Sequence, residues 1–554
     1  MRSGGRILVD QLVLQKAGAV FLVPGESFLA VLDALYDEAA VPSIVCRHEG
    51  GAAMMAEAAG RLTGRPGIAF VTRAPGATNA TSGVYVAAQA QTPMILFVGL
   101  PPRSRAHLTA FQDFDLPALF GGMAKHVEIA SAASRLPETV SRAYSIALNG
   151  RPGPVVIGLP EDVLSETAQV PDAPFIAPAR SEPSDAAMAE IVSLLAGAEQ
   201  PIVIVGGPRW SPAAYDAVQV FAQRFDLPVA AAFRAQDYMD NRHPSYCGHI
   251  GINMDERLAR AIRASDLLLV IGAPLDEIGT GGWSVIASPV PTQRIIHVHP
   301  AGLDPRDGVR VAHEVVATAD GFAQALVKLD PPNAGRWRTF RRDLRAAYER
   351  SLRPLPTPGA VQFAEVVRKV SERVAETGII TSGAGNYSQF VHRYTRYATY
   401  PSSLAPSSGS MGYGLPAAIA AKLEYPERTV VAYAGDGCFM MTAQELSTAV
   451  QYGLPIVVIV ADNGMYGTIR MHQEKTYPGR VSGTSLINPD FAEFARSFGA
   501  YGANVSETAE FDKAFEEALA CGGPAVIAVK LDAEALTPAA TLSDLRALGE
   551  RRTV

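Results

Sequence analysis

Leu454–Val460 (LPIVVIV) is an apolar run with no polar alternation. Bounded by turn residues, such a run fits a parallel strand buried on both faces. Runs of this kind recur along the chain. VFLVP, SIVCR, GIAFVT, PMILFVG and GPVVIGL come first, then PIVIVGG, PVAAAF, DLLLVIG and RIIHVHP, then GIITSG, TVVAYAGDG and PAVIAVK. Helical patterns separate them, Gly50 to Thr63 being one. Strand–helix alternation on this scale predicts an α/β protein built of doubly wound parallel sheets. A length of 554 residues suggests about three domains. Two loose connections divide the chain: the proline-rich Ala168–Ser184, and Asp330–Arg336 together with Arg353–Gly359. The expected domains are therefore residues 1–170, 186–331 and 356–540, with no short-period repeat.

Composition excludes several classes of function. A hydrophobic fraction of 48% with 19% charged residues is ample for globular cores. A net charge of −7 and a pI near 5.9 give no electrostatic basis for binding nucleic acid or an anionic membrane. Cys46, Cys247, Cys438 and Cys521 form no CxxC and no disulfide framework, which points to a reducing compartment. No signal peptide opens the chain, and the apolar runs are shorter than the ~20 residues of a membrane span. The expected location is cytoplasmic.

The strand-like TVVAYAGDG ends in Gly435-Asp436-Gly437-Cys438, and LPIVVIV leads to Asn463. Ligands of open α/β sheets bind at the carboxyl edge that these residues would share. Glycines let backbone approach a bulky anion, and a helix over Thr442–Tyr452 would turn its N-terminus toward the same anion. One carboxylate, one amide oxygen and phosphate oxygens suit Mg2+, which favours octahedral oxygen ligation. The segment is thus expected to hold a magnesium–diphosphate group. A GDG alone is equally a tight strand-to-helix turn. The Asn463-Gly464-Met465-Tyr466-Gly467 continuation makes the reading specific.

With that continuation the segment resembles the thiamine diphosphate signature of the acetolactate synthase and 2-oxo acid decarboxylase superfamily. The resemblance extends over nearly the whole chain. It implies that the three domains bind the cofactor pyrimidine, form a central unit and bind the diphosphate. It also implies Asp436, Asn463 and the carbonyl of Met465 as metal ligands, with Gly435, Gly437, Cys438, Tyr466 and Gly467 against the cofactor. Where the family has Asn-Asn, this chain has Asp462-Asn463, so Asp462 is expected as a charged neighbour rather than a ligand. Cys438 is expected as a small buried thiol, not a nucleophile.

Arg47-His48-Glu49, between a strand and an alanine-rich helix, is similar to the family's RHE motif. By itself Glu49 could be a first-turn acid favoured by the helix dipole. The resemblance makes it the carboxylate that shares a proton with the aminopyrimidine ring and so promotes ylide formation, the cofactor carrying the rest of the chemistry. Pro24-Gly25 is similar to the turn beside the reacting carbonyl, Pro75 and Asn79 to the loop on the pyrimidine, and Gln112 and Lys125 to segments flanking the substrate pocket. In the last domain, Gly385-Asn386 is expected to cradle diphosphate, chiefly through backbone, because the family's amide and histidine side chains are replaced. Gly409 is expected to accept from the cofactor amine, and Met411 to wedge between its two rings, although alone it would read as a core methionine.

The implied reaction is thiamine diphosphate- and Mg2+-dependent decarboxylation and carboligation of a 2-oxo acid through an ylide and an enamine. The alternative is simple decarboxylation, or carbon–carbon lysis of another 2-oxo acid, 2-hydroxyacyl or diketone substrate. A CoA thioester stays open, although the terminal ERRTV is short for a nucleotide-gripping lid. His472 stands where biosynthetic acetolactate synthases carry a tryptophan that selects the second substrate, which leaves the acceptor open. A scaffold that had lost catalysis would be expected to lack Glu49, Asp436 or Met411; all are present. Gly206-Gly207, Gly251 and Gly272 are similar to the family's flavin-binding central domain. The missing arginine after Gly272 and the His297/His299 pair depart from it, so FAD is compatible with the fold but disfavoured. The two cofactor halves come from different subunits in the family, implying a homodimer or homotetramer.

Overall fold

The computed structural model describes residues 1–553 apart from 107, 333 and 334. Among the described residues, three six-stranded sheets, parallel at every pairing, carry the fold. The N-terminal sheet runs in the spatial order Ser43–Val45, Val20–Leu22, Gly67–Thr72, Met94–Leu100, Pro154–Pro160, His126–Ile129. The central sheet runs Tyr246–His249, Val229–Ala231, Pro201–Val205, Leu267–Ile271, Arg294–Val298, His313–Val315. The C-terminal sheet runs Ser403–Leu404, Ile379–Ser382, Val430–Gly435, Ile456–Asp462, Ala525–Lys530, Tyr501–Val505. Every apolar run of the sequence lies on one of these strands. The inner strands are buried along their length, as continuous apolar runs with helices on both faces require.

Helices sandwich the N-terminal sheet. On one face Gly4–Leu14, Leu29–Tyr36 and Leu136–Leu148 enclose a core around Leu8, Phe28, Phe70, Phe97 and Tyr144. On the other lie Glu49–Thr63 and Arg73–Ala90. The first of these is an alanine- and glycine-rich helix, started by His48, whose Nδ1 accepts from Gly50 N, and stopped by Gly64. Its small side chains let it lie against Arg73–Ala90 on one side and Gly414–Glu424 of the C-terminal domain on the other. A single apolar cluster therefore runs from the N-terminal sheet into the C-terminal sheet. The central domain keeps a core of its own, to which Trp337, Leu344 and Tyr348 around the helix Arg338–Ser351 belong. The segment after Thr167–Ala168 has no helix or strand until Asp185. No helix among the described residues is long and apolar enough to cross a membrane.

One helix differs from expectation. The span Thr442–Tyr452 is not one helix with its N-terminus at the anion site. A short helix, Asp436–Phe439, follows Gly435 directly, and after an interruption the chain resumes as a 3-10 turn, Ala443–Glu445, and a helix, Leu446–Gln451. Thr442 is drawn inward, its Oγ1 donating to Gly412 O at 2.6 Å, which sets the break.

Candidate active site

Strands Val430–Gly435 and Ile456–Asp462 are neighbours in parallel register, Gly435 opposite Ala461, so their carboxyl ends deliver Asp436 and Asn463 side by side. Both line a cavity of about 240 Å³ with Gly385, Asn386, Gly409, Met411, Gly435, Gly437, Cys438, Met465, Tyr466 and Gly467. All the C-terminal residues expected at the cofactor thus meet in one space. Asn386 is tied to the far wall by accepting from Thr468 Oγ1 at 2.9 Å. Cys438 is buried, its Sγ accepting from Gly412 N at 3.2 Å, so the thiol serves packing and backbone satisfaction.

Asp436 is only 3% exposed. Its Oδ1 accepts from Gly437 N at 2.8 Å and its Oδ2 from Asn488 Nδ2 at 2.8 Å. Burial raises its pKa, and the nearby Asp462 charge adds to the effect. Asp462 is otherwise engaged: Lys530 Nζ lies 3.0 Å from Oδ2, while Asn488 and Gly464 N donate to Oδ1. Asn463 Oδ1 accepts only a long bond from Met465 N, at 3.3 Å. A buried carboxylate with no cationic partner, an amide oxygen with spare lone pairs and a main-chain carbonyl are a donor set that fits Mg2+. No group of three or more His, Cys, Asp or Glu is gathered among the described residues; the set here needs only one such side chain.

The cavity also fits a diphosphate-bearing cofactor. At Gly409, with φ +72, an added Cβ would meet nothing within 4 Å, so the backbone there borders open space. At Gly437 an added Cβ would lie 2.5 Å from the Tyr466 ring, so only glycine lets the turn close beneath that ring.

The N-terminal candidates gather at the carboxyl edge of their own sheet. Glu49 opens its helix, and Asn79 Nδ2 donates to Glu49 Oε2 at 2.9 Å. Pro24 and Gly25 follow Val20–Leu22, and Pro75 lies in the first turn of Arg73–Ala90. Gln112 adopts φ +58, and its carbonyl accepts from Ala74 N at 3.2 Å. Arg73, which carried no motif, joins these loops: its guanidinium reaches Phe111 O and pairs with Glu26 and Glu161. None of these N-terminal residues lines the 240 Å³ cavity. One chain therefore carries two half-sites that it does not itself bring together.

Other expected residues lie elsewhere. Lys125 Nζ donates to the carbonyls of Ile146 and Asn149, and burial lowers its pKa to about 8; it braces the chain end of a helix. His472 is exposed and outside the cavity, whereas Thr468 and Ile469 of the same helix line it. In the central domain, an added Cβ at Gly207 would lie 1.7 Å from Gly272 O, so the two glycine turns pack backbone against backbone. His297 Nε2 bonds Ala273 O, and His299 Nε2 bonds Gln91 Oε1. A cavity of about 500 Å³ opens there, between Trp210, Arg234, Tyr238 and Asp276.

Comparison with known proteins agrees with this layout. Residues 2–119 match the thiamine pyrophosphate enzyme N-terminal TPP binding domain, residues 188–326 the central domain, and residues 383–529 the C-terminal TPP binding domain. The acetolactate synthase large subunit of Parasynechococcus marenigrum is 31% identical over 545 residues, covering 95% of this chain and 87% of the relative. Acetolactate synthase isozyme 2 large subunit of Escherichia coli is 30% identical over 536 residues, 96% of each. The mitochondrial acetolactate synthase catalytic subunit of Saccharomyces cerevisiae is 29% identical over 575 residues, 96% of this chain and 81% of the relative.

Proposed function

Because this chain belongs to the thiamine pyrophosphate enzymes of the acetolactate synthase-like family, we propose that it decarboxylates a 2-oxo acid and joins the remaining acyl unit to a second carbonyl. The observation that carries this reading is the cavity in which Asp436, Asn463 and Met465 meet Met411 and the Gly385–Asn386 loop. With pyruvate as donor and acceptor, the carbon–carboxylate bond breaks, a carbon–carbon bond forms to the second carbonyl, and the products are CO2 and acetolactate.

Thiamine diphosphate supplies the nucleophilic carbon and the electron sink for loss of CO2. The chain's own groups do the rest. Asp436, Asn463 and the Met465 carbonyl hold Mg2+, and the backbone at Gly385, Asn386 and Gly437 takes the diphosphate oxygens. Met411 would pack against the cofactor rings, and Gly409 O would accept from the cofactor amine. Glu49, oriented by Asn79, exchanges the proton at the pyrimidine ring nitrogen; a carboxylate is needed because an amide cannot cycle it. Pro24 and Gly25 would lie beside the reacting carbonyl, Pro75 against the pyrimidine, and Gln112 beside the substrate.

The active form is a homodimer, or a pair of dimers, in which Glu49 of one protomer faces the diphosphate cavity of its partner. Support comes from the separation of the half-sites and from apolar side chains left in water near each: Phe111 at 72% exposure on one side, Ile469 at 56% and Ile487 at 103% on the other. The protein works in the cytoplasm, where its four cysteines stay reduced.

A panel of 2-oxo acids, assayed for both CO2 and acyloin in the presence of thiamine diphosphate and Mg2+, tests the reading. Pyruvate should give one acetolactate per CO2. Aldehyde in place of acyloin would leave simple decarboxylation, and no CO2 from any member would redirect the assignment to carbon–carbon lysis.

A further inference from the structure

Arg234 is a buried cation without a counter-charge. It is 3% exposed, has φ +59, and among the described residues no carboxylate lies within ion-pairing distance of it. Its Nη1 donates to Pro406 O, its Nη2 donates to Gly383 O at 3.2 Å, and its Nε has no partner. Burial lowers its pKa to about 10, which still leaves it charged at neutral pH. Arg61 lies behind it, donating to Arg234 O at 2.8 Å and adding a like charge rather than relief. An unpaired buried charge is costly enough that a fold keeps one only where something compensates it.

Arg234 stands in the wall of the 500 Å³ cavity of the central domain, and the two carbonyls it grips tie it to the cofactor cavity as well. Gly383 opens the loop whose Gly385 and Asn386 line the cofactor cavity, and Pro406 leads into the segment that places Gly409 and Met411 there. Gly383 is held on its other sides as well. Its N donates to Tyr387 Oη at 3.0 Å, and a Cβ on it would lie 2.4 Å from Cys438 Sγ. Neighbouring side chains repeat the grip: Gln236 Nε2 donates to His392 O at 3.0 Å, and Asp237 Oδ2 accepts from Ser402 N and Ser403 N. The stretch Arg234–Asp237 of the central domain thus fastens three segments of the C-terminal domain. Arg234 brings a positive charge to them, and Asp237, also buried and with Oδ1 unpartnered, brings a negative one to Ser402 and Ser403.

We propose that Arg234 is a positioning residue for the cofactor, fixing the diphosphate loop against the Met411 segment and supplying from behind them the positive charge that the diphosphate meets. The proposal rests on the assignment of thiamine diphosphate as cofactor. It gives the central domain a task in cofactor binding that needs no flavin.

The test compares Arg234→Gln, which keeps donors for the carbonyls but loses the charge, with Arg234→Met, which loses both, and Arg234→Lys, which keeps the charge. Dissociation constants for thiamine diphosphate and for unphosphorylated thiamine are measured by quenching of intrinsic fluorescence at saturating Mg2+, with Tm recorded alongside. The preference of the wild type for the diphosphate should fall about tenfold or more in the Gln and Met variants and be largely kept in Lys. An unchanged preference in Gln and Met, a loss in Lys equal to that in Gln, or neutral variants that cannot fold would each overturn the proposal in favour of a plain structural brace. A wild type that does not bind thiamine diphosphate at all would instead count against the cofactor assignment.

Discussion

Asn488, far beyond Asp436 in the chain, donates its Nδ2 to Asp436 Oδ2 at 2.8 Å. The same nitrogen reaches Asp462 Oδ1 at 2.9 Å, so one amide links the carboxylate proposed to hold Mg2+ to its like-charged neighbour. Groups that orient a ligand typically matter tenfold to a hundredfold for metal affinity. Asn488→Ala should therefore raise the Mg2+ concentration needed for half-maximal activity by about tenfold or more, while kcat at saturating Mg2+ changes little. A Mg2+ titration matching wild type would remove Asn488 from the site.

Glu49 has no metal or diphosphate to hold, so its replacement should separate binding from proton transfer. Glu49→Gln keeps the size and one hydrogen bond to Asn79 but cannot accept and return a proton. Exchange of the cofactor C2 proton should slow by about 10²- to 10⁴-fold, with thiamine diphosphate affinity within a few-fold of wild type. NMR of quenched, bound cofactor reads the exchange directly. Exchange as fast in the variant as in wild type would defeat the role.

Tyr413 Oη donates to Glu57 Oε2 at 2.5 Å, deep between the helices Glu49–Thr63 and Gly414–Glu424, and Thr92 Oγ1 donates to the other oxygen at 2.7 Å. Tyr413→Phe leaves one oxygen of a fully buried carboxyl without its donor. The expected cost is about 1–3 kcal/mol, read as a lower denaturation midpoint at unchanged m-value. Because burial already raises the Glu57 pKa, the loss should shrink as pH falls and the carboxyl protonates. A loss that grows toward acid would contradict this arrangement.

Glu474 anchors the C-terminal helix Leu542–Thr553. Its side chain is 1% exposed; Arg546 meets it at 2.8 and 2.9 Å, and Arg470 reaches it from its own helix. The Arg546 hydrogen bonds, with further help from Gly479 N and Arg470, lower its pKa to about 2. A depressed carboxylate stabilises fully above its unfolded value, near 4.5, and the contribution is lost as pH falls through about 2. The difference in amide protection of this helix between wild type and Glu474→Gln should be constant from pH 8 to about 5 and vanish toward pH 2. Leu536, in the same small apolar cluster as Leu542, also lines the cofactor cavity, so cofactor release should track that loss.

The inner strands were legible because burial on both faces forces uninterrupted apolar runs, and LPIVVIV or PMILFVG admits little else. The strands that left no such mark are edge strands: His126–Ile129, Tyr246–His249, His313–Val315, Ser403–Leu404 and Tyr501–Val505. Paired on one side only, they tolerate polar residues and short length. The site divides along the same lines. Asp436 and Asn463 are legible because each stands in a short glycine-bearing motif directly after an apolar strand run, and the two strands are neighbours. Asn488 and Arg234 lie outside helices and strands and Arg73 opens a helix, and a lone Asn or Arg that contacts other protein groups has no pattern to be recognised by. The helix after Gly435 was misjudged because Thr442 looks like a cap, whereas its hydroxyl is taken by Gly412 O and it marks an interruption instead.

The helix that begins with Glu49 carries Arg61 near its other end, about 18 Å along its axis. There Arg61 Nη1 donates to Ala405 O at 2.7 Å, one residue before the carbonyl that Arg234 holds. If the two half-sites of a chain serve different reaction centres of a dimer, this rod has a foot in each. Buried along nearly its whole length, it cannot shift at one end and stay still at the other. Heterodimers with one inactive protomer would then report conversation between centres, because a disturbance at one pyrimidine would arrive beneath the other diphosphate.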